Sequence, residues 1–242
     1  MRKKLKRLKD IVVTVLVWIP GLCFFIPFGL TLLFLSIFIN PKHFDPVIKA
    51  GCRLVMRLLF IRIRVEGLEN FSRDKTYLFM ANHVNIFDGI ILYGYIPNFV
   101  RGVELDKHFD WFFWGALLRR LDMIPISRTN ARSAMKSLDK AKQSIAEGTS
   151  ILILPEGTRT LTGELNPFKR GPFLLAKGAE ADIVPIAMVG AYRIKQKGNF
   201  IIRPGKMVLR FGQPVLYQDF KEWETNDFKE HVRQKISDLF HG

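Results

Sequence analysis

A histidine and an aspartate five residues apart stand where one apolar run ends and the next begins. The stretch FMANHVNIFDGIILY covers positions 79–93 and contains Asn82, His83 and Asp88. Side-chain neighbours on a regular helix are three or four residues apart, so a spacing of five favours a strand–turn–helix corner. There the carboxylate can accept from one imidazole nitrogen and leave the other free to take a proton from a hydroxyl or thiol nucleophile. In the alternative interpretation, Asn82 and Asp88 are ordinary turn and cap residues beside an incidental histidine.

A second polar group follows an apolar run in the sequence ILILPEGTRT, positions 151–160. Gly157 permits a tight backbone turn and the close approach of a ligand. Arg159 offers a planar fork of donors that suits a phosphate group, and Glu156 can hold that arginine or bind a ligand hydroxyl. The alternative is an ordinary loop after a strand, with a solvated ion pair.

Strands and helices alternate along the part of the chain that carries these residues. We predict strands at 61–65, 77–81, 98–103, 123–126, 151–154 and 183–189, a hairpin of 200–203 with 207–211 around Pro204-Gly205, and helices from Asp88 and at 109–121, 130–148 and 227–240. This order indicates an α/β fold with a central, mostly parallel or mixed sheet flanked by helices. Active sites of such sheets gather beyond the carboxyl ends of strands, where His83 and Asp88 are predicted to lie.

The composition narrows the classes of partner. The chain has 242 residues, a formal net charge of +15 and 48% hydrophobic residues. Such a basic chain favours anionic partners, including lipid headgroups, phosphorylated substrates and acidic proteins. Nucleic acid is disfavoured because the basic residues are dispersed and form no known binding motif. The two cysteines and five scattered histidines provide neither a disulfide framework nor the spacing of a metal site, so we expect no metal.

The N-terminus predicts a helical membrane anchor. Residues 1–10 include six basic residues, and the run Ile11–Ile39 that follows contains no charge. At ~1.5 Å per residue, a helix of this length exceeds a ~30 Å hydrocarbon core, but Pro20-Gly21 and Pro27 interrupt the run. We therefore predict an anchor segment at 1–58 and an α/β domain at 59–242.

Two topologies of the anchor remain open. A single kinked helix would cross the membrane and export the remaining chain. Two short arms folded back at Pro20-Gly21 would instead keep both ends on one side. Basic residues flank the run on both sides, which favours the second topology, with both ends of the run in the cytoplasm.

The ordered motifs resemble the glycerolipid acyltransferases. His83 and Asp88 match the family's H-x4-D motif, and PEGTR matches its second signature. Between them GALLRRLDMIPISR, ending in Arg128, is similar to the intermediate block, and IVPIAM with Pro185 is similar to the final block. The order and spacing agree from about residue 60 to residue 212, and the 1-acylglycerol-3-phosphate (lysophosphatidate) acyltransferases are the most similar subgroup.

The resemblance implies transfer of a fatty acyl group from an acyl thioester to the hydroxyl of lysophosphatidic acid. His83 would be the general base and Asp88 would orient it, while Arg159, Arg128 and Lys169 would hold the acceptor phosphate. The other residues implied to line that site are Glu156, Gly157 and Thr158. Backbone amides near Gly157 or in the Asn82-His83 turn are candidate donors to the tetrahedral oxyanion.

The resemblance also implies the partners. The donor would be acyl-CoA or an acidic acyl carrier protein acting as substrate, with no cofactor, and the acceptor would come from the membrane lipids. Other lysophospholipids or glycerol 3-phosphate remain alternative acceptors. A non-catalytic lipid-binding protein would use the same anchor and charge without needing His83. A serine hydrolase is disfavoured because the sequence contains no G-x-S-x-G motif.

Overall fold

The computed structural model describes residues 2–242, and strands and helices alternate along them. The strands are β1 (Ile61–Glu66), β2 (Leu78–Ala81), β3 (Val100–Leu105), β4 (Ile124–Ile126), β5 (Ser150–Ile153), β6 (Ile183–Val189) and β7 (Gly205–Phe211). The helices are α1 (Arg2–Phe38), α2 (Asp45–Leu58), α3 (Asp88–Tyr95), α4 (Phe112–Arg120), α5 (Ala131–Ala146), α6 (Gly171–Gly178), α7 (Ala191–Ile194), α8 (Tyr217–Phe220) and α9 (Thr225–His241).

The strands form one mixed sheet with the order β1-β7-β6-β2-β5-β3-β4. The five strands from β6 to β4 are parallel, β7 is antiparallel to β6, and β1 is parallel to β7. The predicted α/β fold with a mostly parallel, mixed sheet is therefore confirmed.

The central strand β2 is buried on both faces, as expected for a parallel strand covered by helices. Phe79 packs into the apolar cluster on one face, which also contains side chains of α1, α2 and α3. Leu78 and Met80 pack into the cluster on the other face, which contains side chains of α5, α6 and α9. The carboxyl end of β2 is consequently fixed from both sides before the chain turns towards α3.

The predicted hairpin around Pro204-Gly205 is wrong. Residues 200–203 form no strand, and β7 pairs in parallel with β1, from Ile61 beside Gly205 to Glu66 beside Arg210. Ile202 instead exchanges hydrogen bonds with the Thr14 hydroxyl on α1, at 3.1 and 3.2 Å. The true partners are distant in sequence, so local turn chemistry could not reveal them.

The predicted fold-back at Pro20-Gly21 is also wrong, because α1 continues through Pro20 and Pro27 without interruption. Packing against the domain supports the helix where the prolines remove backbone donors. At Gly21, a side-chain carbon would lie only 2.7 Å from Leu59 Cδ2, so the missing side chain permits close packing. A similar close approach brings Gly29 against Phe113 of α4.

Helix α1 lies along the domain rather than projecting from it. Its contacts extend from the ion pair of Asp10 with Arg203 (2.9 Å) to Gly29 against α4, a length of about 28 Å at ~1.5 Å per residue. One apolar cluster is continuous from α1 and α2 into the sheet, across the predicted boundary at residues 58 and 59. A perpendicular crossing that left the domain outside the bilayer would break these contacts. The opposite face of α1 exposes apolar side chains, among them Val12, Leu16, Ile19, Phe34 and Phe38.

Candidate active site

The turn between β2 and α3 folds Asp88 back towards His83. The Asp88 carboxylate accepts hydrogen bonds from the backbone N–H groups of Val84 (2.6 Å) and Asn85 (3.0 Å). The Asn85 side chain in turn accepts from the N–H of Phe87 at 2.8 Å, which shapes the turn. Because Asp88 is the first residue of α3, its side chain is fixed by backbone donors before it meets the imidazole.

His83 and Asp88 form a closely coupled pair, with 2.7 Å between His83 Nδ1 and Asp88 Oδ2. The Asp88 side chain is 2% exposed and that of His83 is 19% exposed. A carboxylate at Nδ1 selects the tautomer with its proton on that nitrogen, so the Nε2 lone pair is available as a base. The predicted side-chain pair is therefore present with the geometry that its chemistry requires.

The neighbouring strand β6 holds the same corner from one side. The buried Asn82 accepts a hydrogen bond from the N–H of Met188 at 2.7 Å. The Asn85 amide donates to the carbonyl of Ala191 at 3.2 Å. The backbone pairing of β2 with β6 ends at Ala81, and these two side-chain hydrogen bonds continue the connection between the turn and the sheet beyond that residue.

The strand β5 holds the corner from the other side through Glu156. One oxygen of this carboxylate accepts from the His83 backbone N–H at 2.7 Å. The other accepts from the backbone N–H and the side-chain amide of Asn166, at 2.9 and 2.7 Å. The His83 carbonyl completes the link by accepting from the N–H of Thr160 at 2.8 Å. Burial raises the pKa of Glu156, and the hydrogen bonds from His83 and Asn166 oppose that rise.

Glu156 therefore contacts protein rather than an open site. The residue is 1% exposed, and both of its oxygens face donors of the chain. Two of the backbone amides near these positions that were proposed for the oxyanion are occupied as well. The N–H of His83 donates to Glu156, and the N–H of Gly157 donates to the carbonyl of Leu154 at 3.0 Å.

The loop after β5 presents cationic groups beside this pair. Gly157 has a φ of +65°, a left-handed conformation that favours glycine and allows the tight turn. The Thr158 hydroxyl accepts from Lys197 Nζ at 2.9 Å, and the Arg159 carbonyl accepts from the same ammonium at 3.3 Å. Burial, and then the positive charge of Arg159, lower the pKa of Lys195. Positive charges are thus concentrated here, as an anionic ligand requires.

The other two predicted phosphate ligands lie differently. Lys169 is exposed and runs next to Gly157, where its Cγ would be 3.4 Å from an added side-chain carbon. Arg128 is exposed beyond the end of β4, three strands from β2 in the sheet. With ~4.8 Å between strands, that position is about 14 Å along the sheet edge from the His83 corner. The role of Arg128 in phosphate binding stays a prediction.

Three residues of the site carried no usable signal in the sequence. Asn166 lies ten positions after Glu156, and only the folded loop brings their side chains together. Lys195 and Lys197 belong to a segment that was predicted as a connection, and they are two among 37 basic residues. Helix α1 also reaches the site, since the ring of Trp18 lies 5.8 Å from that of Phe87.

The chain matches a family model described as Acyltransferase over residues 62–189, more than half of its length. It is 28% identical over 182 residues to the 1-acyl-sn-glycerol-3-phosphate acyltransferase of Cocos nucifera, covering 74% of this chain and 58% of that protein. It is also 28% identical over 220 residues to the probable 1-acyl-sn-glycerol-3-phosphate acyltransferase of Mycoplasma pneumoniae, covering 83% and 81%. The chain spans about three fifths of the length of the first plant relatives that it matches.

A solved structure shares the fold along the entire chain. The crystal structure of the 1-acyl-sn-glycerophosphate (LPA) acyltransferase PlsC from Thermotoga maritima superposes with a TM-score of 0.82 and 20% identity. The superposition covers 99% of this chain and 97% of that one. At this identity the likeness establishes the common fold.

Proposed function

The chain belongs to the acyltransferase family, and we propose that it transfers a fatty acyl group from an acyl thioester to the free hydroxyl of lysophosphatidic acid, giving phosphatidic acid. The observation that carries the proposal is the His83–Asp88 pair, held at 2.7 Å at the carboxyl end of β2, beside the cationic loop of Arg159. The activity named for the matched relatives supports lysophosphatidate as the acceptor. Glycerol 3-phosphate and other lysophospholipids are the acceptors to be compared.

His83 acts as the general base in the first step. Its Nε2 takes the proton of the acceptor hydroxyl while the hydroxyl oxygen attacks the thioester carbonyl carbon. The Asp88 carboxylate keeps the imidazole in the required tautomer and stabilises the imidazolium. The tetrahedral intermediate then collapses, the carbon–sulfur bond breaks, and the imidazolium returns the proton to the leaving thiolate.

Glu156 and Arg159 have separate roles in this proposal. Glu156 is a positioning residue, because it holds the backbone of His83 and exposes no oxygen to substrate. Arg159 binds the acceptor phosphate, assisted by Lys169 and, at the distant end of the sheet edge, Arg128. Gly157 and Thr158 shape the loop that presents Arg159. The reaction requires no cofactor or metal, and the thioester is acyl-CoA or an acyl carrier protein.

The exposed apolar face of α1 supports association with a membrane, where both lipids reside. The helix segment Arg7–Phe38 is long and apolar enough to cross a bilayer by length and composition alone. Its contacts with the domain favour a helix that lies in the membrane surface. We propose that the domain faces the cytoplasm at a bacterial inner membrane, where acyl thioesters occur. Labelling of a cysteine at position 226 by an impermeant thiol reagent in intact cells, after removal of Cys23 and Cys52, would contradict this orientation.

A direct assay tests the reaction. Purified protein is supplied with a radiolabelled acyl thioester and, in parallel, lysophosphatidate, lysophosphatidylcholine or glycerol 3-phosphate. We expect transfer to lysophosphatidate and its loss by a factor of at least ~10² in His83→Ala, since positioned acid–base catalysis contributes about that much or more. His241→Ala, which changes an exposed histidine at the end of α9, is the matched control. Substantial turnover by folded His83→Ala protein would refute the mechanism.

A further inference from the structure

A cleft of about 940 Å³ separates the start of α1 from the segment between α7 and β7. We call residues 195–204 the 195–204 loop. The residues that line the cleft are Arg7, Asp10 and Ile11 from α1, and Lys197, Gly198, Asn199, Phe200, Ile201 and Arg203 from the loop. The cleft therefore combines basic and apolar side chains from two segments far apart in the sequence.

Two contacts fix the walls of the cleft against each other. Arg203 pairs with Asp10 through two hydrogen bonds, at 2.9 and 3.2 Å. The hydroxyl of the fully buried Thr14 accepts from the N–H of Ile202 at 3.1 Å, and its single proton lies between the carbonyls of Asp10 (2.6 Å) and Ile202 (3.2 Å). The shape of the cleft is consequently preorganised, which lowers the entropic cost of binding a ligand there.

The cleft adjoins the candidate active site through Lys197. This side chain lines the cleft and donates to the Thr158 hydroxyl (2.9 Å) and the Arg159 carbonyl (3.3 Å). Both acceptors are uncharged, so the charge of the ammonium is not neutralised. The Lys197 ammonium therefore links the cleft to the loop that carries Arg159.

Charge and polarity indicate the ligand. Among the lining residues, Asp10 neutralises Arg203, which leaves the charges of Arg7 and Lys197. A phosphomonoester carries about −1.5 to −2 at neutral pH, while a phosphodiester headgroup such as that of phosphatidylglycerol carries −1. At the same cleft Phe200 is 62% exposed and Ile11 is 38% exposed, and the apolar face of α1 continues from Ile11. An anionic headgroup attached to an acyl chain matches both features.

We propose that this cleft is a capture site for the phosphomonoester headgroup of lysophosphatidate, which binds here before it reaches Arg159. The acyl chain of the lipid lies over Ile11 and Phe200. The inference rests on the proposed function and adds a second phosphate-binding position to it. The cleft thereby contributes to selection of phosphomonoester lysolipids over phosphodiester lysolipids.

Steady-state kinetics in neutral detergent micelles test the site with Arg7→Gln, Lys197→Gln and the double variant. Each exposed cation–phosphate contact changes affinity by about 1.5-fold to fivefold. We expect KM for lysophosphatidate to rise by that factor in each single variant and by about the product in the double variant, while KM for the thioester stays constant. The preference for lysophosphatidate over lysophosphatidylglycerol should fall, and the salt dependence of KM should weaken. Lys142→Gln, on the exposed face of α5, is the control for lost charge.

A binding measurement separates this proposal from the proposed function. The affinity for lysophosphatidate is measured by calorimetry on His83→Ala protein with and without Arg7→Gln, so that no turnover is needed. If wild-type protein shows no acyl transfer but the affinity for lysophosphatidate still depends on Arg7, the proposed reaction is refuted and the cleft proposal stands. If wild-type protein is active and the double variant has the same KM and affinity for lysophosphatidate, only the cleft proposal is overturned. The cleft proposal is also overturned if the double variant binds acceptor-free anionic vesicles less tightly but keeps its KM for lysophosphatidate in micelles. Arg7 and Lys197 would then bind the membrane surface rather than the acceptor.

Discussion

Replacing Asn166 with leucine tests whether the active histidine is positioned through its backbone. The Asn166 side chain donates to Glu156 at 2.7 Å and to the Thr158 carbonyl at 3.3 Å. Leucine has a similar size and no donor, while the backbone N–H at this position still reaches Glu156. The variant therefore removes part of the support of the carboxylate that holds the N–H of His83.

The expected loss follows from these contacts. A hydrogen bond to a charged group contributes ~1.5–3 kcal/mol, and the long contact to a neutral carbonyl contributes about 0.5 kcal/mol. Because Asn166 is half-buried and water can replace part of this support, we expect an effect of about 1.5–2 kcal/mol. If that energy positions His83 in the transition state, kcat falls by about 10-fold to 30-fold, since ~1.36 kcal/mol corresponds to a factor of ten. KM for both substrates should change by less than about twofold, because Asn166 touches neither in the proposed mechanism.

The pH dependence distinguishes positioning from a general loss of structure. Burial raises the pKa of Glu156, and Asn166 opposes that rise by stabilising the carboxylate. Removing the donor should raise this pKa further. The ionised Glu156 carboxylate accepts the hydrogen bond from the N–H of His83. Activity should therefore be lost as the pH falls through the folded-state pKa of Glu156, because protonation weakens this support. The acidic limb of the kcat profile should therefore move to higher pH in Asn166→Leu.

The assay compares kcat, KM and the pH profile of Asn166→Leu with those of Gln143→Leu. Gln143 donates to Glu147 at 2.8 Å on the exposed surface of α5, so its replacement removes the same type of bond away from the site. We expect the control to keep wild-type kinetics. If Asn166→Leu retains kcat within about twofold and an unshifted acidic limb, Glu156 does not position His83 in the way argued here.

Three further substitutions test other parts of the proposal. Asp88→Asn should lower kcat by about 10³-fold, because the amide carries no charge to stabilise the imidazolium and its NH2 group would face another donor, either the N–H of Asn85 or the imidazole; unchanged turnover would exclude Asp88 as the orienting group. Arg159→Lys should raise KM for lysophosphatidate about tenfold without changing KM for the thioester, since a point charge replaces a planar fork; equal changes for both substrates would point to a structural role. Thr14→Val should reduce the free energy of unfolding by about 1–3 kcal/mol, because it leaves the buried N–H of Ile202 without its acceptor; amide exchange in α1 measures this loss, and unchanged exchange would contradict it.

The sequence predicted the features that depend on local chemistry. The spacing of His83 and Asp88 indicated a turn that brings their side chains together, and the structure has them 2.7 Å apart. The helix predicted at 130–148 corresponds to α5, and Asn130 caps its start by accepting from the N–H of Ser133 at 2.9 Å. The predicted strand at 183–189 matches β6 at both ends. In each case, the determining residues lie within a few positions of one another.

The sequence did not reveal the contacts made between distant segments. Pro20-Gly21 indicated a break, yet α1 continues through both residues, and Leu59 packs closely against the glycine. Pro204-Gly205 indicated a hairpin, yet β7 pairs with β1 and lies antiparallel to β6. Asn166 and Lys197 became part of the site only through the folding of their loops. These outcomes depend on the strand order and on helix packing, which local propensity does not encode.

The strand order also explains how the turn that carries His83 and Asp88 is held in place. Because β2 lies between β5 and β6, the turn after it has a neighbour on each side. The β5 side supplies Glu156 to the N–H of His83, and the β6 side supplies Met188 to Asn82. A histidine at the end of an edge strand would have only one such support, whereas His83 has two and its side chain is 19% exposed. In the proposed mechanism, rigid support of this kind lowers the reorganisation needed when His83 takes its proton, so the backbone contacts around His83 would contribute to catalysis together with the Asp88 carboxylate.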